Sequence, residues 1–214
     1  MAGIIEPATT LQAIHQGPPV LRPAQVRQLL AAPDRRRKKG KRDAALLGVL
    51  AGGGLRIGEA VRLTVEQVEQ ATSGRTRLLV RTGKQRNGSP PKYRTVTLPR
   101  QCARLVRGWL DYAQPRWFLF PGRHGEHLSV RAAESAVSRH LRAAGCDWAH
   151  PHTLRHSFAT IAVRQTRNIW TVSKVLGHAD IRTTAAMYCH ADPSDADAAA
   201  DAVTVALSAR KRAI

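Results

Sequence analysis

Apolar residues recur along this chain with two different periods, and the switches between them mark its elements. Helical spacing first appears in Pro23-Ala-Gln-Val26-Arg-Gln-Leu29-Leu30, with proline at a first-turn position. Ala44 to Leu50 is apolar nearly all round and predicts a buried helix. It runs into Gly52-Gly53-Gly54, which is expected to end it. Leu55-Arg56 starts the next segment. Two stretches then read as strands, Arg77 to Thr82 and Tyr93 to Leu98, rich in β-branched and aromatic residues. Between them lies Gly83-Lys84-Gln-Arg86-Asn-Gly88-Ser-Pro-Pro-Lys92, a long basic hairpin tip. Helical spacing returns over Arg100 to Tyr112, with Leu105, Trp109 and Tyr112 on one side, and over Val130 to Ala144 and Thr153 to Val163. It returns last over Asn168 to Leu176, with Ile169, Val172 and Leu176 toward the core and Gly177 as the stop. His124 and His127 fall in a polar loop and are expected at the surface.

The ends of the chain are different. Residues 1–22 show little periodicity, and Pro18 and Pro19 break any helix there, so a flexible or loosely docked N-terminal arm is expected. Residues 193–214 read as an alanine-rich helical tail whose narrow apolar face needs a partner. The region between, 23–192, forms the main domain. Its pattern predicts an α+β fold, mainly α-helical, with a small antiparallel β-hairpin.

Composition narrows the function. With 34 Lys and Arg against 15 Asp and Glu, the formal charge is +19. Such an excess suits a polyanionic partner, nucleic acid above all, and not a small neutral substrate. The densest part is Arg35-Arg36-Arg37-Lys38-Lys39-Gly-Lys41-Arg42, which reads either as a solvated loop or, the favoured reading, as a run that tracks phosphates. The three cysteines, Cys102, Cys146 and Cys189, include no Cys-x-x-Cys pair, which argues against a disulfide framework or a zinc site and for a reducing interior. No apolar run approaches the roughly 20 residues that span a bilayer, and the N-terminus has no signal-peptide character. A cytoplasmic, nucleoid-associated protein is expected, with no membrane partner.

Candidate chemistry concentrates between His150 and His190. His152-Thr-Leu-Arg155-His156 puts a histidine and an arginine three apart on one helix face. Leu176-Gly-His178 follows, and Tyr188 comes ten residues after His178. A guanidinium can grip two phosphate oxygens, an imidazole can move a proton near neutral pH, and a phenol can attack phosphorus and hold the product covalently. His150, His152 and His156 lack an acidic or thiolate companion, so metal binding is not expected. Upstream, Arg56 and Glu59 stand i,i+3 on one face, and Lys84 follows Gly83 in the hairpin.

The ordered set Gly54-Leu-Arg56, Gly83-Lys84, His152-x-x-Arg155-His156, Leu176-Gly-His178 and Tyr188 resembles the tyrosine recombinases, the phage-integrase family of DNA strand-exchange enzymes. The likeness covers roughly residues 24–192. It implies the family's catalytic fold and a phosphotyrosyl mechanism needing neither cofactor nor metal. In that mechanism Arg56 and Arg155 clamp the scissile phosphate, Lys84 protonates the leaving 5′-oxygen, His152 transfers a proton, His178 donates to phosphate and Tyr188 is the nucleophile. Glu59 orients the site. Arg86 and Lys92 are rival hairpin cations. The family lays the helix of Val130 to Ala144 on DNA, which makes Arg131, Arg139 and Arg142 contact candidates. It also assembles as a homo-oligomer, a tetramer, on double-stranded DNA, and the tail would dock on a neighbour or in cis.

Family members commonly carry a helical DNA-clamping domain ahead of this region. The short stretch before Pro23 resembles compact members such as the fimbrial phase-variation invertases, or a truncation. A one-sided grip implies steep salt dependence and help from protomer cooperativity or an accessory DNA-bending protein. The rival enzyme is a type IB topoisomerase, which uses a similar residue set. A recombinase-derived, inactive DNA-binding regulator is the rival outside catalysis. A basic RNA-associated protein fits poorly, because aromatics are only 5% of the chain and stacking platforms need them.

Overall fold

The structure, a computed structural model, describes residues 19–70, 75–82 and 90–177. Among these, seven α-helices surround a small sheet: α1 (Pro23–Ala31), α2 (Lys38–Gly53), α3 (Ile57–Val61), β1 (Val68–Gln70), β2 (Thr76–Thr82), β3 (Lys92–Thr97), α4 (Arg100–Ala113), α5 (Val130–Ala143), α6 (Pro151–Thr166) and α7 (Ile169–Leu176). The arrangement is the mainly helical α+β fold that the pattern predicts. Lys84, Arg86, His178, Tyr188, residues 1–18 of the expected arm and the tail 193–214 lie outside the described residues.

α2 is the central element. Asp43 to Leu50 is buried throughout, because α1, α4, α5 and α6 all pack on this helix. Its start differs from expectation: Lys38 to Arg42 belong to the first turns of α2, so the basic run is only in part a loop. Its end differs too. Gly52 and Gly53 are helical, and Gly54 alone terminates the helix, in the left-handed region at φ +63°. The glycines serve packing first: a Cβ on Gly52 would lie 2.8 Å from Cys102 Cβ of α4, so the two helices approach as side chains would forbid.

The sheet is antiparallel in the order β1-β2-β3, with Leu78 opposite Val96 and Val80 opposite Arg94. Leu78, Val80 and Val96 face the core while Leu79 and Tyr93 face out. β1 was not expected; three residues are too few to show alternation. Trp117 to Phe120 fastens beside α3, with Val65 N–H donating to the Trp117 carbonyl at 2.9 Å and Leu119 N–H to the Leu63 carbonyl at 2.8 Å.

Three further expectations are corrected. Tyr112 does not share the buried face of α4, which is made by Cys102, Ala103, Val106 and Trp109; it is exposed, with the Lys41 ammonium 4.9 Å from its ring centre. His127 is half-buried: its Nδ1 lies 2.8 Å from the Leu128 carbonyl and its ring meets Phe118 edge-on. At the N-terminus, Leu21 is fully buried and its N–H donates to Ser157 Oγ at 2.8 Å, so the last residues of the expected arm are part of the core.

Candidate active site

The site forms where three chain ends meet: the left-handed end of α2, the first turn of α3 and the last turn of α7. Leu55 is buried after Gly54 and carries the chain straight into α3, with Arg56 as its N-cap residue. Glu59 is the third residue of that helix. Its Oε2 accepts the Arg56 N–H at 2.8 Å, and its Oε1 accepts from Arg56 Nη1 at 3.2 Å. The i,i+3 pair seen in the sequence is therefore a helix cap and an ion pair at once. The Arg56 side chain is 47% exposed and Glu59 11%, so the arginine head reaches the cleft while the carboxylate stays beneath it.

Arg155 comes from the second turn of α6 and is 3% exposed. Its Nη1 donates to the Gly54 carbonyl and its Nη2 to the Leu176 carbonyl, both at 2.7 Å. These bonds fix the plane of the guanidinium and tie the ends of α2 and α7 to α6. Glu59 Oε2 lies 4.0 Å from Arg155 Nη1. A third guanidinium completes the group. Arg94 on β3 donates through Nη1 and Nη2 to the two Glu59 oxygens at 3.0 and 2.8 Å, and through Nε to the Val175 carbonyl at 2.7 Å.

Three guanidinium groups thus surround one carboxylate, leaving a net positive centre suited to an anion. Burial pushes the Glu59 carboxyl up, as the largest single influence. The hydrogen bonds and charge of Arg94, the Arg56 N–H and the Arg155 charge together overcome it and hold Glu59 below the usual carboxylate range. His152, on the first turn of α6, is held below its ordinary value of 6.5, first by burial and then by the charges of Arg155, His150 and Arg56. These influences favour the uncharged form of the imidazole. His156 is lowered likewise, by burial and then by His152, Arg155 and His150. The two rings meet edge to face, 4.4 Å between centres.

Leu55, Arg56, Ile57, Glu134, His150, Pro151, His152 and Arg155 line a cleft of about 350 Å³. Four residues singled out in the sequence, Arg56, Glu59, His152 and Arg155, are therefore brought together. The basic candidates lie elsewhere. Arg35, Arg36, Arg37, Lys38 and Lys39 are exposed at the start of α2, and Arg36 pairs with Asp34 at 2.9 Å. Lys92, Arg131 and Arg142 are exposed. Arg42 and Arg139 both turn to the buried Asp43, at 2.8 and 2.7 Å.

Sequence reasoning missed Arg94, Glu134 and Asp43. A signal for Arg94 exists: on β3 it alternates with Tyr93 and Thr95 and shares the inward face of Val96. A charge on the buried side of a strand demands a partner.

The chain matches the phage integrase family over residues 19–195. The tyrosine recombinase XerD of Pseudomonas putida is 35% identical to it over 190 residues, covering 87% of this chain and 63% of that protein. The XerH site-specific recombinase bound to palindromic difH substrate in a post-cleavage complex aligns with a TM-score of 0.71 at 26% identity, over 86% of this chain and 53% of that one. The XerA recombinase aligns with a TM-score of 0.68 at 26% identity, over 91% of this chain and 67% of that one. The chain spans less than two thirds of the length of the curated relatives it matches first, at 63% and 58%.

Proposed function

The chain belongs to the phage integrase family, and from that membership and the cleft just described we propose that it is a site-specific recombinase that cleaves and rejoins duplex DNA. The observation that carries the reading is the junction of Arg56, Arg155 and His152 over Glu59, with the two arginines and the histidine lining one cleft of net positive charge.

The chemistry follows from those groups. The scissile phosphodiester enters the cleft with its non-bridging oxygens on Arg56 and Arg155. Arg155 is already oriented by two carbonyls, so it needs little reorganisation as charge builds on phosphorus. The Tyr188 oxygen attacks in line and loses its proton to His152. A new bond joins this oxygen to phosphorus while the bond from phosphorus to the 5′-oxygen breaks. Lys84 gives that leaving oxygen its proton, and His178 donates a hydrogen bond to the phosphate. The products are a 3′-phosphotyrosyl bond and a free 5′-hydroxyl. Attack by another 5′-hydroxyl reverses the steps and exchanges strands, with no cofactor or metal required.

The exposed cations Arg35, Arg36, Arg37, Lys38, Lys39, Lys92, Arg131 and Arg142 supply phosphate contacts, joined by Lys41, Arg42, Arg86 and Arg139. Assembly is a homo-oligomer on DNA, a tetramer in the full synapse, with an accessory DNA-bending protein where a one-sided grip is too weak. The work takes place in the cytoplasm, at the nucleoid.

Covalent trapping on nicked duplexes from the DNA flanking the gene tests this reading. A denaturation-resistant adduct mapped to Tyr188, lost in Tyr188→Phe with DNA binding retained, is expected. Cleavage that survives Tyr188→Phe would overturn the nucleophile. Relaxation of supercoils without strand exchange would move the chain to the topoisomerase reading, and salt-sensitive binding without any adduct to the regulator.

A further inference from the structure

Arg94 has a set of contacts that no simple surface or core role requires. Its side chain is 7% exposed on β3, yet its acceptors lie 35 and 81 residues away in sequence. Both oxygens of Glu59 take one terminal nitrogen each, and the Val175 carbonyl takes Nε. Each acceptor belongs to the site. Glu59 also receives the Arg56 N–H and side chain. The Val175 carbonyl precedes the Leu176 carbonyl, which Arg155 holds. Two guanidinium groups from different elements therefore cap neighbouring carbonyls at the end of α7, and one carboxylate lies against both.

The packing agrees with this. Gly177 ends α7 at φ +70°, and a Cβ there would come within 3.0 Å of Arg94 Cδ and Nη1 and 3.2 Å of Thr82 Cγ2. The turn that leads to His178 thus lies directly on the base of the hairpin, where Thr82 Oγ1 donates to the Lys92 carbonyl at 3.1 Å. The hairpin is the part of the chain that carries Lys84.

We propose that Arg94 is a positioning residue for strand cleavage, joining β3 to Glu59 and to the last turn of α7 so that the hairpin base, the two cleft arginines and the turn toward His178 adopt one arrangement together. The proposal rests on the recombinase reading. Only a guanidinium satisfies it: three donors must point in three fixed directions from one plane, whereas a lysine ammonium is a single point charge on a flexible stem. If β3 shifts on DNA, Arg94 shifts with it, and Glu59 and the α7 carbonyls lose their common partner. Contact of the hairpin with DNA is thereby coupled to the geometry of the cleft.

The test uses the full chain with Arg94→Lys, which keeps the charge beside Glu59, and Arg94→Gln, which keeps a donor for Val175. Three readouts are compared with the unaltered chain: affinity for a nicked duplex, rate of adduct formation at saturating protein, and hydrogen exchange over residues 56–61 and 174–177. Arg94→Lys should bind DNA as before but cleave about 100-fold more slowly, the scale of a small misplacement of reacting groups. Exchange should rise over those two segments and stay level in α4. Unchanged cleavage in Arg94→Lys would overturn the proposal, because charge alone would then suffice. Affinity falling in step with cleavage would also overturn it, making Arg94 a DNA contact. If the unaltered chain forms no adduct, the recombinase reading fails separately. Hydrogen exchange still decides then: unchanged exchange at 174–177 in both folded variants overturns the positioning role. Should Arg94→Lys not fold, Arg94→Gln decides by hydrogen exchange, where no rise over residues 56–61 overturns the positioning role.

Discussion

Arg155 Nη1 donates to the carbonyl of Gly54 at 2.7 Å, joining residues 101 apart in sequence. One side chain thereby closes the end of the central helix and presents its charge to the cleft. Stability and chemistry are linked at this point. Arg155→Ala orphans two carbonyls, those of Gly54 and Leu176, and each buried acceptor left unsatisfied costs about 1–3 kcal/mol. Urea unfolding should show a loss of about 2–6 kcal/mol for Arg155→Ala by that count. Adduct formation should fall by about 100- to 1,000-fold, the scale of one lost donor to a developing charge. A variant as stable as the unaltered chain would show that the two carbonyls find other donors.

Gly54 answers to two independent constraints. Its φ of +63° is strained for any residue with a Cβ, and that Cβ would run into the Phe158 ring. Gly54→Ala should lose about 1–2 kcal/mol for the left-handed backbone alone, and more for the clash. Phe158→Ala in the same chain should restore the steric part and leave the backbone part. Unfolding free energies of the two single variants and the double variant form a cycle that separates them. Strict additivity would mean that the ring moves aside freely.

The sequence made Arg56, Glu59, His152 and Arg155 legible because each is a polar group of fixed spacing within one helical segment. Local period is enough for such pairs. It also placed β2 and β3, whose alternation is long enough to count. What it could not give depends on contacts between distant segments. Arg94 reads as an ordinary strand residue until Glu59 and Val175 stand beside it. Asp43 reads as the end of a basic run until α5 brings Arg139 and His140 to it. The three glycines read as a helix stop because propensity is local; in fact Gly52 is helical, and the tight approach of α4 at Cys102 leaves no room for a side chain there. Period alone puts Tyr112 on the apolar side of α4, whereas its ring lies against the Lys41 ammonium.

Acid sensitivity follows from His152 and His156. Both are held below the ordinary 6.5, so the unfolded chain takes up their protons first as pH falls. Their contribution to stability is complete above 6.5 and declines as pH drops from there through the folded values. Glu59, lowered from 4.5, adds a second loss at more acid pH, beginning below that value. Unfolding midpoints measured from pH 8 to pH 5 should therefore fall on the acid side, and His152→Asn with His156→Asn should flatten that fall. The rate of adduct formation should follow the neutral form of His152, with its acid limb centred below 6.5. A midpoint above that value would mean that the folded imidazole favours its charged form.

Asp43 poses the question of what Arg139 does. The carboxylate is 1% exposed and accepts Arg42 Nε and Nη2 at 3.1 and 2.8 Å, Arg139 Nη2 at 2.7 Å and lies 3.1 Å from His140 Nε2. It ties α2 to α5 from the inside. Removing one member of a buried pair costs about 3–5 kcal/mol, but the Arg42 and Arg139 side chains are 21% and 44% exposed and reach water once released. Asp43→Ala should therefore lose about 3 kcal/mol, at the low end of that range. Arg139→Ala then separates two roles for the arginine. If it serves mainly Asp43, the variant is less stable but its DNA affinity keeps the same dependence on salt. If the same guanidinium also grips a phosphate, the slope of log affinity against log salt falls by about 0.9 in magnitude. A side chain that is 44% exposed while bonded to Asp43 predicts the second result, and a salt titration of both proteins on one duplex decides it.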